Sequence, residues 1–197
     1  MISYMLAVII LMAIPGPALL TIFGIGAAFG YAAGIRYVIG IYIGANLVAL
    51  IAFSGLSTAL LQYPGMRTLL MGVSLAFLIY LAFRIAFAGS NFGQSKNAAP
   101  PGIRSGIILQ LVNPKAYMTV SALYLSFPIM PDTPLTEAIV KLGLANIVWI
   151  PGHFVWLYAG VRVNRLNLSQ RTSRNLNIAL AAAMLCLVSI SVFFVNQ

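Results

Sequence analysis

Two stretches of sequence decide the fold: residues 5–23, MLAVIILMAIPGPALLTIF, and residues 107–123, IILQLVNPKAYMTVSAL. Each is an apolar run with proline near its middle, as Pro15-Gly16-Pro17 in the first and Asn113-Pro114-Lys115 in the second. A proline inside a helix removes a backbone donor and frees a carbonyl group on the preceding turn. In lipid, such groups are tolerated only where protein or a water-filled cavity satisfies them. We therefore expect both runs to be broken helices beside a cavity.

The composition is that of an integral membrane protein. Of 197 residues, 61% are hydrophobic and only 7% are charged, whereas a soluble domain carries about 25% charged residues. The net charge is +9, but the basic residues lie at the ends of apolar runs, which argues against nucleic-acid binding. The single cysteine, Cys186, excludes an intramolecular disulfide and a cysteine metal cluster. We predict no metal site and no cofactor.

Six apolar runs are each long enough to cross a hydrocarbon core about 30 Å thick. They cover approximately residues 2–24, 37–61, 66–87, 105–127, 136–161 and 176–195. The first lacks a basic n-region and a clean A-x-A cleavage site, so we interpret it as a retained spanning helix. A polar linker at 89–103 divides the single domain 1–197 into two halves, 1–88 and 104–197, with three helices each.

Basic residues are distributed unequally between alternate loops. Eight share one side of the membrane: Arg36, Arg84, Lys96, Arg104, Arg162, Arg165, Arg171 and Arg174. Arg67 and Lys141 lie on the other side, together with the only acids, Asp132 and Glu137. The positive-inside rule places the first set and the linker in the cytoplasm and both termini outside. With three helices per half, the second half must be inverted relative to the first.

The two proline motifs then fall at similar depths. Pro15 lies about 17–20 Å from the outer end of helix 1, and Lys115 lies about 16 Å from the inner surface. Matched interruptions in an inverted repeat are typical of the binding site of a transporter. We therefore predict a substrate-binding site formed by Pro15, Gly16, Pro17, Asn113, Pro114 and Lys115.

The residue types suit a carboxylate and an ammonium group. The half-helix that starts near Ala18 would direct its positive end at a carboxylate. Lys115 would pair with the same carboxylate or with freed backbone carbonyls, and Asn113 offers both donors and acceptors. The structural alternatives are that Lys115 extends to the inner surface and that Pro15-Gly16-Pro17 is a packing kink.

Polar and glycine positions elsewhere carry weaker signals. Gly40 and Gly44 form a GxxxG pair, which usually indicates close helix packing. Asn46 either belongs to the substrate site or bonds across helices. Pro151-Gly152-His153 is expected to interrupt helix 5, and His153 either carries the coupling proton or is a hydrogen-bonded interior histidine.

Absent groups exclude other classes of protein. We expect no acid within any predicted helix, which disfavours a site for cations. The chain has no P-loop, and a Ser-His-Asp set cannot be built from two loop acids and one histidine. We therefore predict that the protein is not an enzyme and does not itself use ATP.

Several motifs together resemble a known family. They are Ile14-Pro15-Gly16-Pro17, the glycine spacing Gly34, Gly40, Gly44 and Gly55, the run Tyr80-Leu81-Ala82-Phe83-Arg84, and Gly106 followed by Leu111-Val112-Asn113-Pro114-Lys115-Ala116. With the length and helix count, they are similar to the lysine/homoserine exporter (LysE/RhtB) family. The resemblance implies proton-driven export of amino acids or small derivatives across a bacterial inner membrane, through the site at the two proline motifs.

The chain also departs from that family's pattern. Many members have a polar or acidic residue shortly after Pro-Gly-Pro, where this chain has Ala18 and Leu19. Many have an acid and a histidine in helix 2, where Ala45 and Val48 stand. These departures disfavour a dibasic substrate.

The leading hypothesis is a secondary exporter of neutral amino acids that works by alternating access. An exporter of another metabolite or ion, and a membrane scaffold, are the alternatives, and a homodimer is compatible with so small a bundle.

Overall fold

The described residues form an all-α structure. The structure is a computed structural model that describes residues 1–56, 62–87, 100–166 and 168–195. Within them the helices are α1 (Ile2–Ala13), α2 (Pro17–Phe53), α3 (Pro64–Ala86), α4 (Ile103–Val112), α5 (Pro114–Ser126), α6 (Pro134–Asn164) and α7 (Gln170–Val195). The predicted all-α class is confirmed for this part of the chain. Among the described residues, three helical segments are long and apolar enough, by length and composition, to cross a membrane: Pro17–Phe53, Thr68–Ala86 and Pro134–Asn164.

Helix α2 folds back on itself at Gly30. This residue has φ 76° and ψ −172°, a conformation that is essentially restricted to glycine. Across the turn, the Tyr37 hydroxyl donates to Thr21 Oγ1 at 3.1 Å, and a Cβ built on Gly34 would lie 3.7 Å from the Gly26 Cα. Residues 17–29 and 31–53 are therefore antiparallel arms, which we call the first and second arms of α2.

Two pairs of helices are separated by short segments, residues 14–16 and residue 113, which we call the first and second broken segments, or breaks. Helix α1 ends at Ala13 and α2 begins at Pro17, and α4 ends at Val112 and α5 begins at Pro114. Asn113, between α4 and α5, has φ −83° and ψ 104°. Proline opens both α2 and α5, where its missing N–H leaves no helical hydrogen bond unmade.

Helix α6 differs from the sequence-based expectation in two ways. It continues through Pro151, so the predicted interruption at Pro151-Gly152-His153 is wrong. An internal proline removes only one donor, and its ring lies on an exposed face of α6. Glu137 and Lys141 also lie within α6 and are buried, whereas both were expected among the loop residues of the outer side. The expectation that no helix contains an acid is therefore wrong. Burial of Glu137 is tolerated because it forms an ion pair with Lys141, which neutralises both charges.

The core lies where the arms of α2 meet α3, α4 and α6. Its fully buried side chains include Ile22, Ile25, Tyr37, Ile41, Leu78, Leu81, Ile85, Leu109 and Leu157. A Cβ built on Gly40 would overlap the Ile103 carbonyl, and one on Gly44 would lie 2.7 Å from the Gln110 Cβ. The packing role predicted for this glycine pair is confirmed, because both glycines allow α2 and α4 to approach closely.

The outer surface is largely apolar, as expected for helices in contact with lipid. Large apolar side chains are exposed on α1, α2, α3 and α6, among them Ile10, Leu50, Ile79, Phe83, Ile139 and Val155. Of the predicted linker 89–103, residues 89–99, including Lys96, lie outside the described residues, and α4 begins at Ile103. Helix α7 begins at Gln170, six residues before the last predicted run.

Candidate functional site

A cavity of about 140 Å³ lies between α1, both broken segments, the second arm of α2, α5 and α6. Its polar lining residues are Tyr4, Asn46, Gln110, Asn113, Lys115, Thr119, Tyr124, Lys141, Asn146 and His153. The remaining wall is mostly apolar, with Leu11, Met12, Leu19, Phe53, Val120, Leu123, Leu142 and Trp149 among its residues. None of the described lining residues is acidic.

The structure brings most of the predicted site residues to this cavity. Gly16, Pro17, Asn46, Asn113, Lys115 and His153 line it. Pro15 and Pro114 are not among the described lining residues, and the side chain of Pro15 is exposed. Each is adjacent in sequence to a lining residue, since Pro15 precedes Gly16 and Pro114 lies between Asn113 and Lys115.

Lys115 connects the two broken segments. Its Nζ donates to the carbonyl oxygen of Ile14 at 2.9 Å, although the two residues are 101 positions apart. That carbonyl belongs to the stretch between α1 and α2, where no helical donor is available to it. Among the described residues, no carboxylate lies within ion-pair distance of Lys115. Among the described residues, the partner of the ammonium group is therefore a neutral carbonyl oxygen.

The first turn of α2 adds to this positive region. Gly16, Pro17, Ala18 and Leu19 all line the cavity, and Gly16 carries no side chain that could cap the helix. A Cβ built on Gly16 would lie 3.1 Å from Lys115 Nζ, so glycine is what allows the ammonium group to approach the helix end. A free helix N-terminus and a lysine side by side form a site suited to a carboxylate.

Asn113 organises the second break. Its Oδ1 accepts a hydrogen bond from the backbone N–H of Lys115 at 3.1 Å and so caps α5. Its Nδ2 donates to Gln110 Oε1 at 3.3 Å. The cap orients the residue that carries the ammonium group, because Lys115 lies in the capped first turn.

Two asparagine side chains, Asn46 on the second arm of α2 and Asn146 on α6, also line the cavity. Asn146 Nδ2 donates to Asn46 Oδ1 at 3.1 Å, and Asn46 Nδ2 donates to the Tyr42 carbonyl at 2.8 Å. Asn46 therefore bonds across helices, as one of the two predicted alternatives has it, and it also lines the cavity. Its place in a substrate site stays a prediction. Asn oxygens are neutral acceptors, which suit an ammonium group.

His153 is buried and also reaches the cavity. Its Nδ1 lies 2.8 Å from the Trp149 carbonyl oxygen, and its ring stacks on the Trp149 indole with centroids 3.6 Å apart. A carbonyl oxygen only accepts, so Nδ1 carries a proton and Nε2 is left to accept one. His153 is therefore a hydrogen-bonded interior histidine, as one of the two predicted alternatives has it. Its role in proton coupling stays a prediction.

The sequence-based prediction did not include five polar residues that line the cavity: Tyr4, Gln110, Thr119, Lys141 and Asn146. Gln110 and Asn146 are polar residues within apolar runs, a signal of function that the sequence already contained. Counting Lys141 with the loop residues overlooks that it lies within the apolar run 136–161. Only the packing of α6 against α1 and α5 shows that it is buried.

Comparison with known proteins agrees with a membrane translocator. Residues 9–197 match the family model described as LysE type translocator. Leucine efflux proteins of Klebsiella pneumoniae subsp. pneumoniae and of Salmonella typhimurium are each 23% identical over 174 residues, covering 81% of this chain and 82% of the relative. No solved structure gives a significant match. Since the family match covers almost the entire chain, this protein belongs to the LysE type translocator family and is a membrane transporter, not an enzyme.

Proposed function

We propose that the protein is a secondary exporter of neutral, apolar amino acids in a bacterial inner membrane. The observation that carries the proposal is the position of Lys115, which holds the carbonyl of Ile14 and borders an apolar cavity. The substrate carboxylate would bind Lys115 and the first turn of α2. The substrate ammonium would meet the amide oxygens of Asn46 and Gln110.

The apolar part of the cavity suits an aliphatic side chain. Leu19, Val120, Leu123 and Leu142 line it together with Trp149. Burial of apolar surface contributes about 25 cal/mol per Å², which favours a leucine-sized side chain over a polar one. The names of the leucine efflux relatives support the same class of substrate.

The transport cycle would use six spans arranged as two inverted halves. The first span combines α1 with the first arm of α2, and the fourth combines α4 with α5. The second arm of α2 and helices α3, α6 and α7 supply the others, with both termini outside the cytoplasm. The halves would rock around the cavity to give alternating access. His153 Nε2 would accept the coupling proton.

Export from cells tests this function. Cells that express the wild type, Asn113→Ala or Lys115→Ala at equal membrane abundance are supplied with dipeptides, and each released amino acid is followed in the medium. Arg36→Gln is the matched control, because it removes an exposed cation outside the cavity. Faster release of leucine-like amino acids, lost in the two cavity variants and kept in the control, is expected.

Two results would contradict the proposal. Release that is equal in expressing and non-expressing cells for every amino acid, with the protein inserted, would direct attention to other metabolites or ions. Normal function in cells that carry the two cavity variants would favour a scaffold, because a scaffold does not need the cavity.

A further inference from the structure

A second cation of the cavity is neutralised by a buried acid. Lys141 lines the cavity and its side chain is 1% exposed. Its Nζ lies 2.6 Å from Glu137 Oε1 and donates to the Tyr124 carbonyl at 2.8 Å. Glu137 itself is not among the described lining residues. The cavity wall thus presents the lysine, and the carboxylate stands behind it.

The ion pair is held from several elements. Glu137 Oε1 also accepts a hydrogen bond from the backbone N–H of Ile129 at 2.8 Å. The Tyr4 hydroxyl donates to the Lys141 carbonyl at 2.8 Å, and Lys141 Nζ lies 4.7 Å from the centre of the Tyr124 ring. These contacts join α1, α5, the α5–α6 loop and α6. The pair is therefore a fixed part of the wall.

A buried ion pair is costly to form and is often replaceable by apolar residues without loss of stability. Its presence beside a binding cavity therefore suggests a role other than stability. The two lysines that line the cavity differ in one respect. Lys115 has only a neutral partner among the described residues, whereas Lys141 is neutralised.

We infer that Glu137 is a specificity-determining residue, which restricts the cavity to substrates with one carboxylate by cancelling the charge of Lys141. The inference rests on the proposed function and deepens it. A substrate with a second carboxylate, such as glutamate, would have to bury that group without a free cation, which is unfavourable. Removal of the charge on Glu137 would free Lys141 to receive it.

The test compares leucine and glutamate as ligands of four proteins: the wild type, Glu137→Gln, Glu137→Asp and the double variant Glu137→Gln/Lys141→Met. Glutamine keeps an oxygen that can accept from Ile129 N–H, and aspartate keeps the charge. Ligand-induced thermal stabilisation of the purified proteins and export from cells are both measured. We expect Glu137→Gln to gain stabilisation by glutamate and to export it at least about tenfold faster than the wild type. Glu137→Asp and the double variant are expected to show no such gain.

Three results would overturn the inference. One is a folded Glu137→Gln protein that binds leucine but does not gain glutamate. Another is a glutamate gain that persists in the double variant. The third is loss of leucine binding in the double variant, because Lys141 would then bind the ordinary substrate. If the single variant does not fold, leucine binding by the double variant, which lacks both charges, still tests whether Lys141 binds the ordinary substrate.

Failure of the proposed function would be visible separately. A wild-type protein that neither exports leucine nor is stabilised by it would contradict that function. The effect of glutamate on the thermal stability of Glu137→Gln would still show whether Glu137 neutralises the charge of Lys141.

Discussion

Lys115 Nζ donates to the carbonyl oxygen of Ile14 at 2.9 Å, so each broken segment supplies one partner of a single hydrogen bond. The break before α2 exposes an acceptor, and the first turn of α5 supplies the donor. The bond lies at the cavity wall, where Lys115 is also free of any described carboxylate. The two interruptions thus meet at one cavity, although 101 residues separate Ile14 from Lys115.

Lys115→Met is expected to lower export by about tenfold to a hundredfold. A hydrogen bond to a charged group contributes about 1.5–3 kcal/mol, and about 1.4 kcal/mol corresponds to a factor of ten. Lys115→Arg should keep the charge and recover part of the activity. Initial rates of efflux at matched abundance measure the effect. Export by Lys115→Met at the wild-type rate would contradict a role in binding.

Two variants of Asn113 should separate stability from binding. Asn113→Ala removes the α5 cap and should lower the free energy of unfolding by about 1 kcal/mol. Asn113→Asp keeps the capping oxygen but puts a carboxylate beside the proposed substrate carboxylate. We expect Asn113→Asp to be the more stable variant and yet to export poorly. Thermal unfolding in detergent and efflux rates give the two readouts. An active Asn113→Asp protein would argue against this position for the substrate carboxylate.

Gly106→Ala should destabilise the protein strongly. A Cβ at this position would lie 2.5 Å from the Tyr37 carbonyl and 2.6 Å from the Ile41 nitrogen, both backbone atoms that cannot move alone. Overpacking of this kind costs about 1–3 kcal/mol. Gly143→Ala is the matched control, because a Cβ there meets nothing within 4 Å. Equal thermal stability of the two variants would show that α2 and α4 do not pack as described.

His153→Gln should uncouple export from the proton gradient. Glutamine can donate to the Trp149 carbonyl but cannot carry a proton at the position of Nε2. We expect downhill efflux from loaded vesicles to continue and uphill transport driven by an imposed pH gradient to be lost. If uphill transport survives in His153→Gln, the coupling proton is carried by another group.

Local sequence was enough to determine that this is a membrane protein and that helices begin at Pro17 and Pro114. The low charge and long apolar runs require a lipid environment, because no water-exposed surface could be built from them. Proline restricts its own backbone wherever it stands, so Pro17 and Pro114 each open a helix in the structure. The same reasoning failed at Pro151, since an isolated proline removes one donor and the rest of α6 continues.

Tertiary structure alone decided which distant groups meet. Nothing local to Ile14 and Lys115 indicates that they are bonded, and nothing local to Glu137 and Lys141 places this pair in a cavity wall. A charge four residues from an opposite charge is ordinary on any helix; its burial depends on how α6 packs against α1 and α5. The sequence by itself therefore determined a membrane protein and two of the prolines at which helices begin, because composition and proline act locally. The charge of the cavity was decided only by packing, because it depends on which side chains are buried together.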